Sequence, residues 1–307
     1  MNFQSWLIKS IEEKNSVLVV GLDPNLDLFP DFILDNAKDD KSKSEAILRF
    51  NKIVIDTVCE HCITVKPQLA YYEVFWSYGI KALEETISYA KKKNLLVILD
   101  AKRGDIDSTC EAYAEAFLGQ SRIAADAVTV NPYLGRDGIL PFIHKADENE
   151  RGLFILVKTS NPSSNDLQNL ITKDEEEIYI KVAKLTNEFI KEELGYSNIG
   201  AVWRGTYPDE AKKIRNILKK SFFLVPGYGA QWASGKDLKE YFDNNGLGAL
   251  ISASRSLTYP YLYTDVNKWN IFETNLKDMI LLAVKKLMKI LINLDFKIII
   301  NYEIMNF

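Results

Sequence analysis

The sequence predicts a closed parallel (β/α)8 barrel, the TIM barrel, folded as a single domain. Three observations carry that expectation. Eight short runs of aliphatic and β-branched residues recur along the 307 positions, with apolar spacings of three and four between most of them. Almost every run ends in a polar cluster, as strand ends do at the mouth of such a barrel. No Gly-x-Gly-x-x-Gly follows the first run, which counts against a doubly wound open sheet.

Residues 17–22 form the first run and lead into Asp23-Pro24. A polar stretch over 31–43 reads as a mobile excursion, and 45–60 as a helix. The second run, 62–65, ends in Lys66-Pro67-Gln68, and a helical pattern follows over 80–93. The third, 95–99, is aliphatic throughout, as a strand buried on both faces should be. It stops at Asp100-Ala101-Lys102-Arg103-Gly104-Asp105-Ile106, and 109–118 resumes helical spacing. Runs four and five, 127–130 and 153–157, end in Asn131-Pro132-Tyr133-Leu134-Gly135 and Lys158-Thr159-Ser160-Asn161-Pro162. A helix is expected over 178–194, then runs at 199–203, 222–225 and 249–251. The last two lead into Pro226-Gly227-Tyr228-Gly229-Ala230-Gln231 and Ser252-Ala253-Ser254-Arg255. No Gly/Ser/Pro-rich linker divides the chain, so 1–270 reads as the barrel. Residues 271–307 add an amphipathic helix, broken by Lys285, Lys286 and Lys289, and an apolar tail to which composition assigns no role.

A net charge of −4 and no basic face make nucleic acid an unexpected partner. No segment offers the roughly 20 apolar residues a membrane span needs. The first residues lack the basic start and apolar core of a secretory signal. Three cysteines, Cys59, Cys62 and Cys110, make no disulfide framework and suit the reducing cytoplasm. Cys59-x-x-Cys62 has only His61 nearby and no second pair, so no metal site is expected there.

In a barrel the polar run ends converge on one face. Gly227-Tyr228-Gly229 allows backbone N–H groups to approach an anion, and Ser254-Arg255 adds a guanidinium and further donors. Gln231 can reach across as an uncharged donor. The other end of the mouth carries Asp23, Lys66, Asp100, Lys102 and Asp105, a network of carboxylates and ammoniums without histidine. Mixed charges at a buried strand end are costly unless they satisfy one another, and such clusters mark chemistry. A lysine is then the natural proton carrier.

These motifs resemble the orotidine 5′-phosphate decarboxylase family, in its longer subgroup found in many bacteria and related to the apicomplexan enzymes. The signature is Asp100-Ala101-Lys102-Arg103-Gly104-Asp105-Ile106, with Gly21-Leu22-Asp23-Pro24, Val65-Lys66-Pro67-Gln68 and the run ends above in family order. The likeness spans about 6–263. It implies loss of CO2 from orotidine 5′-phosphate to give uridine 5′-monophosphate, with no cofactor and no metal. It implies that Asp23 and Lys66 hold ribose hydroxyls, that Asp100 stands beside the departing carboxylate, and that Lys102 protonates C6. Asp105, Ile106 and Thr109 would serve the neighbouring subunit's site, which makes a homodimer with shared sites the expected assembly. Ser160 would contact the pyrimidine, Gln231 would bridge base and phosphate, and Arg255 would clamp the phosphate. The resemblance leaves open association with orotate phosphoribosyltransferase.

The chain departs from the family at three places. Trp203-Arg204-Gly205-Thr206 replaces Val-Gly-Ala-Thr, Asp107 stands where Gly is usual, and Trp232-Ala233 follow Gln231 where Gly-Gly is common. Trp203 is expected either to narrow the mouth or to repack its rim. Two rival functions are weighed. A magnesium-dependent hexulose-phosphate synthase or ketogulonate-phosphate decarboxylase needs a carboxylate after the second strand, where Lys66 stands. A catalytically silent nucleotide-binding protein is suggested only by the departures, against intact Asp100, Lys102 and Asp105.

Overall fold

The computed structural model describes residues 2–191, 195–204, 208–227, 235–243 and 245–292. Eight parallel strands close into one barrel in sequence order: β1 (Leu18–Leu22), β2 (Thr64–Pro67), β3 (Leu96–Arg103), β4 (Ala127–Val130), β5 (Gly152–Lys158), β6 (Ile199–Trp203), β7 (Phe223–Pro226) and β8 (Ala249–Ala253). Closure is made by β8 on β1, with Leu18 opposite Ile251 and Val20 opposite Ala253. The strands are aliphatic because both faces are covered, by the barrel interior and by the outer helices.

Helices Asp40–Val58, Trp76–Lys92, Asp107–Leu118, Leu140–Glu148, Ile178–Glu188 and Pro208–Ile217 form the outer layer. Helix Trp76–Lys92 shows how the pattern works: Ala82, Leu83, Thr86, Ile87 and Ala90 are buried on one face. The polar stretch 31–43 is more ordered than expected. It contains the helical turn Asp31–Leu34, anchored by buried Phe29 and Ile33, and the start of helix Asp40–Val58. Asp39 caps that helix, accepting from Ser42 N–H at 2.8 Å while Ser42 Oγ accepts from Asp39 N–H at 3.0 Å.

Away from the mouth, Arg215 staples the chain. Its guanidinium donates to the carbonyls of Leu218, Ser221, Tyr241 and Gly248 at 2.7–3.0 Å and lies over the Phe223 ring. Helix Glu273–Ile292 buries Leu276, Ile280 and Val284 in the same core as the barrel and packs on helix Asp40–Val58. No described helix is long and apolar enough to cross a membrane. The apolar tail beyond 292, to which the sequence assigns no role, lies outside the described residues.

Candidate active site

Two carboxyl-end features of β3 build the charged end of the mouth. Asp100 and Lys102 are two residues apart on a strand, so both can face the barrel interior. The register then slips: from Leu99 opposite Val128 to Arg103 opposite Val130, β3 advances four residues while β4 advances two. Lys102 absorbs the bend with φ of +49°, the left-handed region that a side chain disfavours. The amide it turns away from the ladder is not lost, because Lys102 N–H donates to Thr129 Oγ1 at 3.0 Å.

The Asp100 carboxylate is the hub. Lys66 Nζ lies 2.6 Å from Oδ2 and Lys102 Nζ 2.5 Å from Oδ1. Thr129 Oγ1 donates to Oδ1 at 2.9 Å and Gln68 Nε2 to Oδ2 at 3.1 Å. Burial alone would raise the Asp100 pKa, but the charges of Lys66 and Lys102, with their hydrogen bonds, hold it well below the ordinary carboxylate range. Burial likewise works to lower the Lys66 pKa, and the facing charges of Asp100 and Asp23 reverse that, raising it. Asp23 Oδ1 is buried without a hydrogen-bond partner among the described residues. Asp23 itself lines the cavity, and a buried acceptor without a partner calls for an explanation at such a site.

The cavity holds about 370 Å³ and is lined by Asp23, Lys66, Asp100, Lys102, Ser160, Gly227, Ser254 and Arg255, eight of the residues expected from the sequence. Gln68 and Asn161, expected at the mouth as parts of the run ends but without a role of their own, also line it, as do Thr129 and Tyr263, which were not expected. Ser160 sits in a loop tied to itself: Gln168 Oε1 accepts from Thr159 N–H at 2.9 Å, and Thr159 Oγ1 donates to Asn161 Oδ1 at 2.7 Å.

At the opposite end Gly227 takes φ of +84°, and its N–H donates to Ser252 O at 3.1 Å. That φ favours glycine, and a Cβ there would also stand 2.5 Å from Arg204 Nη1, which would have to move. A Cβ at Gly21 would meet Ser254 Oγ at 2.0 Å, so a side chain there would displace a residue of the cavity wall. The helix after Ser254 is the single turn Arg255–Thr258, too short to bring a helix dipole to the cavity that Arg255 lines. Gly229 and Gln231, with Trp232 and Ala233, lie outside the described residues.

Asp105, Ile106 and Thr109 do not line this cavity. Asp105 Oδ1 accepts from Ile106 N–H at 2.8 Å, while Ile106 and Thr109 are exposed. Asp107 has φ of +49°, which accounts for glycine being usual there. Trp203 does not narrow the mouth. Val202 faces the cavity, and Trp203 is fully buried behind it, 5.5 Å from the Tyr179 ring with Lys158 Nζ 5.9 Å away. No group of three or more His, Cys, Asp or Glu among the described residues is placed to hold a metal.

A closed eight-stranded barrel with such a mouth is a TIM-barrel enzyme. The chain belongs to the orotidine 5′-phosphate decarboxylase / HUMPS family, whose model matches residues 16–259. It is 39% identical over 305 residues to orotidine 5′-phosphate decarboxylase of Caldicellulosiruptor bescii, covering 92% of this chain and 99% of that one. The Caldicellulosiruptor saccharolyticus protein of the same name is 41% identical over 278 residues, covering 85% and 90%. Among solved structures, the OMP decarboxylase of Leishmania donovani superposes with a TM-score of 0.75 at 29% identity, covering 96% of this chain and 98% of that one.

Proposed function

We propose that this chain converts orotidine 5′-phosphate to uridine 5′-monophosphate and CO2 without a cofactor. The observation that carries the reading is the Lys66–Asp100–Lys102 arrangement at the end of β3, within a chain of the decarboxylase family. The C6–carboxylate bond breaks, CO2 departs, and the electron pair stays on C6, which has no adjacent carbonyl to accept it. The Lys102 ammonium opposes that developing charge, so its stabilisation is greatest in the transition state. A proton from Lys102 Nζ then completes the C6–H bond, and the amine regains a proton from solvent. Asp100 holds Lys102 in place and faces the departing carboxylate.

Asp23 and Lys66 hold the ribose hydroxyls, a role supported by their place in the cavity wall and by the unpartnered Asp23 Oδ1. Ser160 contacts the pyrimidine, and Arg255 and Ser254 hold the phosphate beside Gly227, whose own N–H is taken by Ser252 O. Gln231 and Gly229 complete the base and phosphate contacts. Asp105, Ile106 and Thr109 serve the site of a second copy. Exposed aromatic residues support such a dimer, with Trp76 80% exposed at the start of helix Trp76–Lys92 and Tyr133 76% exposed after β4. A cytoplasmic setting is supported by the three unpaired cysteines.

Loss of the orotidylate ultraviolet band, followed with and without a chelator, tests the reading. Turnover indifferent to chelator is expected. Chelator-sensitive turnover would support a magnesium-dependent relative, although a cation at Lys66 opposes a divalent ion in that place. No turnover at all, with nucleotide still bound, would leave a silent binding protein.

A further inference from the structure

Tyr259 is fully buried, yet it carries a hydroxyl where phenylalanine would fill the same space. A buried hydroxyl is costly unless bonded, and this one is bonded twice. It donates to Asp23 O at 2.9 Å and accepts from Asn25 N–H at 3.0 Å, across more than 230 positions of sequence. The ring stacks on Phe50 at 5.2 Å and 10°, and Phe50 stacks on Phe29 at 4.4 Å. The Tyr259 N–H donates to Arg255 O at 3.0 Å, so the same residue is tied to the turn that carries the guanidinium. Two further bonds run in parallel, from Tyr261 Oη to Leu28 O and from Lys268 Nζ to Asp27 O at 2.9 Å. The loop after β1 is thus held by the segment after β8 through backbone carbonyls and amides.

Asp23 lines the cavity with Oδ1 unpartnered, so no hydrogen bond to that oxygen aims it. The Lys66 charge attracts it, but its reach is set by its backbone, whose carbonyl accepts from Asn25 N–H at 2.8 Å and from Tyr259 Oη. We propose that Tyr259 is a positioning residue for Asp23, aiming the carboxylate at the ribose hydroxyls and fixing its distance from Arg255. The inference rests on the reading that Asp23 binds ribose and Arg255 phosphate.

Tyr259→Phe keeps the ring stack and removes only the hydroxyl. The readout is the ratio of dissociation constants for uridine 5′-monophosphate and its 2′,3′-dideoxy analogue, by calorimetry on one preparation. A partly unfolded sample lowers the signal for both ligands and leaves that ratio intact. The variant is expected to bind uridine 5′-monophosphate about tenfold more weakly, the worth of one well-placed hydrogen bond, with the dideoxy analogue within about twofold of wild type. In an Asp23→Ala background, Tyr259→Phe should cost nothing further on either ligand. Equal losses on both ligands would mean that Tyr259 only supports the fold, and a wild-type ratio would mean that its hydroxyl does not aim Asp23. Either result overturns the proposal alone, provided Asp23→Ala collapses the ratio. If Asp23→Ala leaves the ratio unchanged, the ribose assignment fails and the proposal falls with it.

Discussion

Lys66 Nζ stands 2.6 Å from Asp100 Oδ2, and both side chains are only 8% exposed. A pair this enclosed is weak evidence of net stability, but removing one member strands the other in a dry site. Asp100→Asn is therefore expected to lower unfolding free energy by about 3 kcal/mol at neutral pH, read from urea melts. The Asp100 pKa is depressed in the folded protein, so its contribution is complete above the unfolded value of about 3.9 and is lost as pH falls through the folded one. Lys66 is raised, so its contribution is complete below about 10.4 and is lost only as pH rises through its folded value. The difference between wild type and variant should stay flat between about pH 5 and 9 and shrink on acidification. A difference that persists unchanged at pH 3 would show that the carboxylate is not what holds the cluster.

Lys102 combines a reactive group with a strained backbone, at φ of +49°. Lys102→Ala is expected to reduce turnover by more than about 10⁴-fold, since both proton transfer and charge stabilisation are lost. Binding of uridine 5′-monophosphate should survive. Lys102→Gly should be equally inactive but more stable than the alanine variant by about 1 kcal/mol, because glycine adopts positive φ without the steric cost. Thermal melts of the two variants measure that difference. Alanine and glycine variants of equal stability would show that the left-handed turn is not maintained.

How much of this was open to a reader of the sequence depended on the kind of signal. The strands are legible because each is an aliphatic run covered on both faces, and Asp100 and Lys102 because charge follows such a run abruptly. Gln68 is legible as part of the polar end of the second run, but Thr129 carries no comparable signal. Thr129 meets Asp100 only because β3 slips register against β4, a relation between strands that no local pattern records. Trp203 was undecidable for the same reason, since the pairing of β5 with β6 shifts between Leu156 and Lys158, just where alternation would have assigned its face. The Tyr259 hydroxyl reaches Asp23 across 236 positions, and nothing in either segment announces the other.

Arg255 lines the cavity with Ser254 and Gly227, after β8, the strand that pairs with β1. Arg255→Ala should weaken binding of uridine 5′-monophosphate by roughly 2–4 kcal/mol, as expected for one charged contact removed from a largely desolvated site. Uridine, which lacks the phosphate, should bind the variant and the wild type alike. Calorimetric titration with both ligands decides the matter, and equal weakening of the two would remove Arg255 from the phosphate site.

Asp105 follows Lys102 within one short turn, yet the chain directs it away from the cavity that Asp100 and Lys102 share. If it completes a second copy's site, a closed two-fold dimer provides two such sites symmetrically. Lys102→Ala and Asp105→Ala chains should each be inactive alone and regain activity when mixed and allowed to exchange subunits. In a mixed dimer one site carries both defects and the other carries neither. At equal mixing about half the dimers are mixed, each with one intact site, so activity should approach about a quarter of wild type. Subunit exchange is verified separately, by a mass tag on one chain. Exchange without recovery would mean that Asp105 serves its own subunit, and that the site is completed by a movement of the loop after β3 rather than by a partner.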